Sequence, residues 1–143
     1  MKKFSIATKV NSPLQVVWKK FDRNLLEQLR PLFPKTRILH FDEKFVSLEL
    51  DFVLFKQQWV SLITERLEEI DKCYFVDKGV QVPFFLKHWH HKHLLLSTES
   101  GTLIVDEITY EARRAWLDGI IYPLLYLQFW MRKPIYRRYF QQV

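Results

Sequence analysis

The segment from Pro83 to Arg113 constrains the fold more than any other part of the chain. Two runs with alternating apolar and polar residues flank the turn sequence Ser-Thr-Glu-Ser-Gly, which ends at Gly101. This pattern predicts a long antiparallel hairpin. A loop of two residues or of four gives the same register. That register places Lys92 opposite Glu107, His93 opposite Asp106 and Trp89 opposite Tyr110, and all three are favourable cross-strand pairs.

The predicted register also divides the hairpin into two faces. We assign the more apolar face to the interior of the protein; it carries Trp89, His91, His93, Leu95, Ile104, Asp106, Ile108 and Tyr110. The opposite face is expected to meet solvent and carries His88, His90, Lys92, Glu107, Thr109 and Glu111.

The rest of the chain predicts further strands and a few helices. Ser12 is predicted as the N-cap of a short helix over residues 13–21, and Asp22 as the cap of a second one that stops at Pro31. The terminal part from about Leu117 has a helical pattern that Pro134 should kink or interrupt. A turn is predicted at Lys78-Gly79, and Pro123 near the start of the terminal helix. Strands are predicted at 3–10, 36–41, 45–55, 58–70 and 72–77.

This order predicts an α+β domain, with two short helices after the first strand of an antiparallel sheet. The chain resembles the SRPBCC superfamily, whose helix-grip fold wraps a curved antiparallel sheet around a long C-terminal helix. START lipid-transfer domains, birch-pollen-allergen proteins and polyketide cyclases share that fold, and the chain is most similar to small bacterial ligand-binding members. The resemblance lies in Trp59-x-Ser-x-Ile63, Phe75-Val-Asp77, Pro83-Phe84, Trp89-x-His91-x-His93, Thr102-Leu-Ile-Val-Asp106-Glu-Ile-Thr-Tyr110 and Arg132-x3-Tyr136-x3-Phe140.

One departure from the family pattern follows Tyr110. Relatives usually carry Pro-x-Gly shortly after this position, whereas this chain has Glu-Ala-Arg-Arg-Ala-Trp. We therefore expect the start of the terminal helix, and the mouth of a cavity beside it, to differ from those of relatives.

Length and composition narrow the class of protein. The 143 residues predict one domain, 1–143, with a core of its own. Three glycines leave almost no room for a glycine-rich phosphate loop, and the lone Cys73 excludes an internal disulfide. The N-terminus is too polar for a signal peptide, and the apolar run from Ile120 to Met131 is too short to span a bilayer. We expect a soluble, cytoplasmic protein.

The net charge of +6 is concentrated toward the C-terminal end. The favoured interpretation is a solvated helix face, because the charges are few and dispersed. No nucleic-acid motif accompanies them, so we predict no nucleic-acid partner. Docking of the basic, aromatic terminal helix on a membrane or a partner remains an alternative. The sequence leaves the oligomeric state open.

Histidine and carboxylate residues of the hairpin are the candidates for chemistry. The favoured interpretation is a charge-assisted pair between His93 and Asp106. A polar patch for a ligand, or a metal set of His91, His93 and Asp106, are the alternatives; we predict no metal and no cofactor. Glu65 shares the parity of Trp59 and is either a third polar group of the interior or a carboxylate paired at the sheet edge.

Aromatic residues on the predicted inner surfaces suit a cavity for a flat or apolar ligand, with plain core packing as the alternative. We therefore predict binding of a small hydrophobic or amphipathic molecule between the sheet and the terminal helix. A cyclase or dehydratase using His93 and Asp106 as acid and base is the rival hypothesis. The predicted ligand-binding residues are Trp59, Glu65, Trp89, His91, His93, Asp106, Tyr110, Phe129 and Trp130.

Overall fold

The computed structural model describes residues 1–141, so the last two positions of the predicted domain lie outside the described residues. Strand β1 is followed by two short helices, then by six strands and the terminal helices. The bounds are β1 Lys2–Val10, α1 Leu14–Lys19, α2 Arg23–Gln28, β2 Lys35–Phe41, β3 Phe45–Asp51, β4 Lys56–Glu68, β5 Lys72–Gln81, β6 Leu86–Thr98, β7 Gly101–Ala112, a 3-10 turn Ala115–Leu117, α3 Asp118–Trp130 and α4 Arg132–Tyr139.

Within residues 1–141 the strands form one seven-stranded antiparallel sheet in the order β1-β7-β6-β5-β4-β3-β2. Two apolar clusters fill the space between this sheet and the helices. One joins α1 and α2 to the end of α4, and the other joins α3 to the opposite ends of β1, β6 and β7. This arrangement confirms the predicted α+β helix-grip fold, with a curved sheet gripping the C-terminal helices.

The β6–β7 hairpin has the predicted register. Trp89 lies opposite Tyr110, Lys92 opposite Glu107 and His93 opposite Asp106. Every second residue of β7 is buried, as expected for a strand with one face on the core. The alternating pattern therefore located both faces correctly.

The terminal helix is interrupted at Met131, which separates α3 from α4. Pro134 lies in the first turn of α4 and has no N–H to donate to the carbonyl of Trp130, so the helical hydrogen bonding cannot run through this point. The predicted interruption is confirmed. Pro123 was predicted near the start of the helix but lies inside α3.

Ser12 was predicted as an N-cap, and this prediction is wrong. The N-cap of α1 is Pro13, with φ −67° and ψ 157°. The Ser12 hydroxyl instead donates a 2.6 Å hydrogen bond to the carbonyl of Phe140, and the Ser12 carbonyl accepts one from Thr102. Ser12 thus ties the end of β1 to the end of α4. The predicted cap at Asp22 is present, where its carboxylate accepts from the amide of Leu25 at 3.0 Å.

The predicted turn at Lys78-Gly79 is also wrong, because β5 continues to Gln81. An ideal Cβ at Gly79 would lie 2.5 Å from Val82 Cγ1 and 3.0 Å from Trp89 Cβ. Glycine at this position therefore permits the close approach of β5 to β6, a role that glycine also plays within strands.

Replacing Gly79 by Ala should destabilise the fold by about 1–3 kcal/mol, the usual range for overpacking a filled site. The matched control is Gly119→Ala in the first turn of α3, where a Cβ would meet no atom within 4 Å. This control should be neutral or stabilising by up to about 1 kcal/mol, because alanine is the better helix former. Urea unfolding of the two variants checks the prediction; equal effects would contradict it.

Candidate functional site

A largely apolar cavity of about 190 Å³ lies between the inner face of the sheet and the helices. Helix α2 and strands β2 to β6 supply its walls, together with α3 and the first residue of α4. Trp59, Trp89 and Phe129 contribute aromatic rings to the lining. The ring centres of Trp59 and Trp89 are 5.0 Å apart and edge to face, so these rings hold each other in place.

Asp77 and His93 form a hydrogen-bonded pair among the polar residues of the cavity lining. Nε2 of His93 lies 2.5 Å from Oδ2 of Asp77, and the indole of Trp89 donates to Oδ1 of the same carboxylate at 3.2 Å. The side chain of His93 is 12 % exposed and that of Asp77 is 14 % exposed, and both line the cavity. Asp77 is therefore a candidate site residue that was not predicted as one. Its parity with Phe75 in β5 was the signal that could have placed it on the inner face.

A second pair lies deeper, where His91 Nε2 is 2.7 Å from Asp106 Oδ1. Asp106 is also bonded by the hydroxyl of Tyr136, which donates to Oδ2 at 3.1 Å, and Arg132 Nη1 lies 3.7 Å from Oδ1. Both side chains of the pair are almost fully buried. The carboxylate thus links β7 to β6 and to α4.

The predicted side-chain pair of His93 with Asp106 is wrong, although their backbones are opposite each other. Asp106 reaches the diagonal neighbour His91 instead, and diagonal contacts are within reach of long side chains on one face of a sheet. His93 is then free to pair with Asp77 on the other adjacent strand, β5. The side-chain rotamers and the adjacent strand β5 decide which diagonal pair forms. The sequence pattern of the hairpin specifies neither of them.

Burial and hydrogen bonding set the charges of this group. Burial, with the nearby His93, lowers the pKa of His91 to about 4 despite the two carboxylates that oppose the shift, so its imidazole is neutral near pH 7. Burial acts to raise the pKa of Asp106, but the His91 hydrogen bond and the charge of Arg132 outweigh it and hold the value at about 2. The pKa of Asp77 is lowered as well, since the bond from His93 outweighs burial. Both carboxylates are therefore ionised.

Asp77, His91 and His93 place their ligand atoms within 4.8 Å of one another, as a metal set would. The imidazoles of His91 and His93, however, are stacked with ring centres 3.6 Å apart and planes 28° apart. Nδ1 of His91 lies 3.5 Å from Oδ2 of Asp77, the same oxygen that Nε2 of His93 approaches at 2.5 Å. Each imidazole also has a carboxylate partner. The geometry is that of a hydrogen-bonded chain, Asp106–His91 beside Asp77–His93.

Glu65 does not lie in the interior, so that placement is wrong. A β-bulge between Ile63 and Glu65 shifts the register, since Ile63 is opposite Asp77 whereas Glu65 is opposite Val76. A bulge inserts one residue and turns the following side chains to the other face. Glu65 is exposed, and the guanidinium of Arg66 lies 4.7 Å from the ring centre of Trp18 on the inner side.

Trp130 also lies outside the cavity, contrary to prediction. The buried stripe of α3 consists of Ile121, Leu125 and Phe129, spaced by one helical turn. Trp130 is one residue past this stripe and is 53 % exposed on the outer face. Phe129 is on the inner side, where its ring packs against those of Trp89 and His91.

Five of the nine predicted site residues line the cavity: Trp59, Trp89, His91, His93 and Phe129. Asp106 and Tyr110 are buried behind that lining. Arg132 and Tyr136 complete the polar group and were not predicted as site residues. The guanidinium of Arg132 lies over the ring of Phe129, 4.2 Å from the ring centre.

Several solved protein structures are similar in fold to this chain. The chain is similar to a protein from Arthrobacter aurescens solved in solution (18 % identity, 93 % of this chain and 81 % of that chain, TM-score 0.64). It is similar to norcoclaurine synthase from Thalictrum flavum (13 % identity, 86 % and 76 %, TM-score 0.61). It is also similar to the Zhui aromatase/cyclase from Streptomyces sp. R1128 (16 % identity, 82 % and 72 %, TM-score 0.58).

These likenesses define the class of fold: the chain has the helix-grip fold that its sequence predicted. The protein Ara h 8.0201 has the same fold, with a TM-score of 0.53 at 13 % identity. No family profile and no curated protein matches the sequence. At these identities the likeness extends to the fold alone. Among the described residues, no helix is long and apolar enough to cross a membrane.

The buried His91 predicts how stability depends on pH. Its pKa is about 4 in the folded protein and about 6.5 ordinarily, so the unfolded chain binds the extra proton between these values. Stability should therefore fall as the pH drops from about 6.5 to about 4, by up to about 1.4 kcal/mol per pH unit. Urea unfolding across this range checks it. The His91→Gln variant, which can still donate to Asp106, should have the shallower dependence; parallel curves would contradict the prediction.

Proposed function

We propose that the protein binds a small hydrophobic or amphipathic molecule in the cavity between the sheet and the terminal helices. The observation that carries this proposal is a largely apolar cavity whose wall includes the hydrogen-bonded pair of Asp77 and His93. Ligand sites commonly combine apolar walls with a few placed polar groups.

The size of the cavity limits the ligand. An apolar protein cavity of about 150 Å³ accommodates benzene, so about 190 Å³ corresponds to a molecule with one ring or a short chain. Trp59, Trp89 and Phe129 offer flat surfaces for such a ring. Burial of its apolar surface would supply the affinity, at about 25 cal/mol per Å² before the costs of ordering.

The polar pair gives the ligand a preferred orientation. A hydroxyl or carbonyl on the ring would hydrogen-bond at Asp77 or His93, while the rest of the molecule stays among apolar side chains. His91 and Asp106 lie deeper and would fix the position of His93 by stacking and hydrogen bonding. Tyr110, behind the lining, would support Trp89 from the opposite strand.

A structural neighbour supports an aromatic ligand. Norcoclaurine synthase from Thalictrum flavum has been solved in complex with dopamine and hydroxybenzaldehyde, and that structure matches this chain with a TM-score of 0.61 at 15 % identity. Both of those molecules combine one aromatic ring with a polar group. This is the chemistry that the cavity described above would accept.

Calorimetric titration with p-cresol and with toluene tests the proposal. Both should bind, and p-cresol more tightly, because its hydroxyl can bond to the Asp77–His93 pair. Ile63→Phe should abolish binding by filling the cavity that Ile63 lines. Leu62→Phe is the matched control, since Leu62 is the adjacent residue of β4, is exposed and does not line the cavity. This control should bind as the unchanged protein does.

Two results would overturn the proposal. One is a lack of heat and of thermal stabilisation with either compound. The other is equal binding by the Ile63→Phe variant and its control. Native mass spectrometry of the purified protein gives an independent measurement, since a co-purified ligand should be present in the Leu62→Phe variant and absent from Ile63→Phe.

A second candidate function is acid–base catalysis, and the specific observation that favours it is the 2.5 Å contact of His93 with Asp77 at the cavity wall. An imidazole held by a carboxylate can remove a proton next to a carbonyl group. The pair differs from the His93–Asp106 pair predicted from the sequence. Binding alone would need no such proton transfer, so the two candidates can be told apart.

Hydroxyacetophenone in deuterated water tests the second candidate, because its methyl protons are acidic. A catalytic His93 should speed their exchange for deuterium, and His93→Ala should remove the effect while the outward-facing His90→Ala keeps it. Nuclear magnetic resonance of the methyl signal measures the rate. Exchange no faster than in buffer, with hydroxyacetophenone shown to bind, would leave binding as the function.

A further inference from the structure

Three connections at one end of the sheet carry runs of four consecutive apolar residues. The α2–β2 connection contains Pro-Leu-Phe-Pro at 31–34, and the β3–β4 connection is Phe-Val-Leu-Phe at 52–55. The segment 83–86, which runs from the β5–β6 connection into the first residue of β6, is Pro-Phe-Phe-Leu. We call these three segments the apolar tip. Polar residues normally dominate such connections, so the composition requires an explanation.

The three segments of the apolar tip pack on one another. The ring of Phe52 lies 6.0 Å from that of Phe33, 5.1 Å from Phe55 and 5.7 Å from Phe84. The rings of Phe55 and Phe84 are 5.5 Å apart. The amide of Phe84 also donates to the side chain of Gln57, which joins the β5–β6 segment to β4. The tip is therefore one continuous surface and not three separate loops.

Much of this surface is exposed. Leu32 is 91 % exposed and Leu54 is 92 % exposed, and Phe33 and Val53 are exposed as well. Val53 has a φ of 79°, in the left-handed region that disfavours a β-branched residue. The chain thus holds a strained apolar residue in the exposed β3–β4 turn. Contiguous apolar surface of this kind marks an interaction site.

Lysines follow the apolar tip at its base. Lys35, Lys56 and Lys87 each come directly after one of the three segments, and all three are exposed. Arg113 contributes a fourth positive charge here, since its guanidinium donates a hydrogen bond to the carbonyl of Phe84. Two carboxylates lie in the same region. Asp51 accepts a hydrogen bond from the amide of Val53, and Glu111 lies 3.9 Å from Lys87. Positive charge remains in excess around the tip.

An apolar tip above a ring of cations matches the layers of an anionic membrane. The acyl region would accept the leucine and phenylalanine side chains, while the lysines would lie at the level of the phosphates. Helix α3 also exposes apolar residues, but between Asp118 and Trp130 it contains no lysine or arginine. The charge pattern therefore favours the tip over α3, and over the basic end of α4 that lacks such a tip.

The apolar tip also borders the cavity. Pro31, Pro34 and Phe85 belong to the tip and line the cavity as well. A membrane in contact with the tip would therefore lie at the end of the cavity.

We propose that the apolar tip, with Lys35, Lys56 and Lys87 at its base, docks the protein on anionic phospholipid bilayers. Vesicle binding is measured without any ligand, so this proposal and ligand binding in the cavity can fail separately.

Flotation with phosphatidylcholine vesicles, with and without phosphatidylglycerol, tests the docking. The unchanged protein should bind the anionic vesicles and lose binding as salt is raised. Leu54→Ser and Leu32→Ser should each weaken binding about tenfold, the effect of withdrawing one inserted leucine. The matched control is Ile70→Ser, since Ile70 is 86 % exposed in the β4–β5 turn at the opposite end of the sheet. It should bind unchanged.

The three lysines at the base of the tip are tested against a control of their own. Replacing Lys35, Lys56 and Lys87 together by Gln should weaken binding by about fivefold for each lysine. A triple variant at Lys9, Lys20 and Lys44 makes the same change of net charge elsewhere on the surface. It should weaken binding much less. Thermal unfolding of each variant verifies that the fold is intact.

Several results would overturn the proposal. They include no binding to anionic vesicles, equal loss in Leu54→Ser and Ile70→Ser, or loss in the α3 variant Leu124→Ser with none in Leu54→Ser. Equal loss in the two lysine variants would attribute binding to net charge alone. Concentration-dependent dimers that Leu54→Ser abolishes, without vesicle binding, would instead assign the tip to a second copy of the chain.

Discussion

The buried carboxylate of Asp106 is the interaction on which the rest of the structure depends. An ionised carboxylate removed from water is costly unless hydrogen bonds and opposite charge compensate it. Here the compensation comes from two elements, with His91 on β6 and both Tyr136 and Arg132 on α4. Satisfying one charge therefore requires the terminal helix to lie across the inner face of the sheet. Burial beneath that helix keeps His91 neutral, and its hydrogen bond to Asp106 aligns it beside His93.

The cavity follows from the way in which the helices cover the sheet. Helix α2 lies on one side and α3 on the other, and the break at Met131 lets α4 turn toward the cluster that contains α1. The aromatic side chains of Trp59, Trp89 and Phe129 brace the walls and leave a space between them. Because the Asp77–His93 pair is the shallower of the two polar pairs, it is the one that a molecule in that space would meet first.

The apolar tip and the cavity are two consequences of one topology. Antiparallel strands return to the same end of the sheet, so the connections that follow α2, β3 and β5 converge there. Each connection carries apolar residues and is followed by a lysine. The proposed surface for an anionic bilayer and the end of the proposed ligand cavity thus lie side by side, which would allow an apolar molecule to pass between them with little exposure to water.

Local pattern and the family resemblance determined much of this protein from the sequence alone. The alternation between Trp89 and Tyr110 predicted the hairpin, its register and its buried face, because side chains of a strand point to alternate sides. The strand order and motifs predicted the helix-grip fold. The tertiary structure decided the side-chain positions that an alternating sequence pattern does not specify. A bulge turned Glu65 outward, a helical step placed Trp130 outside the cavity, and the neighbouring strand β5 supplied Asp77. Partners of a buried side chain depend on distances across three elements, and those distances exist only once the chain has folded.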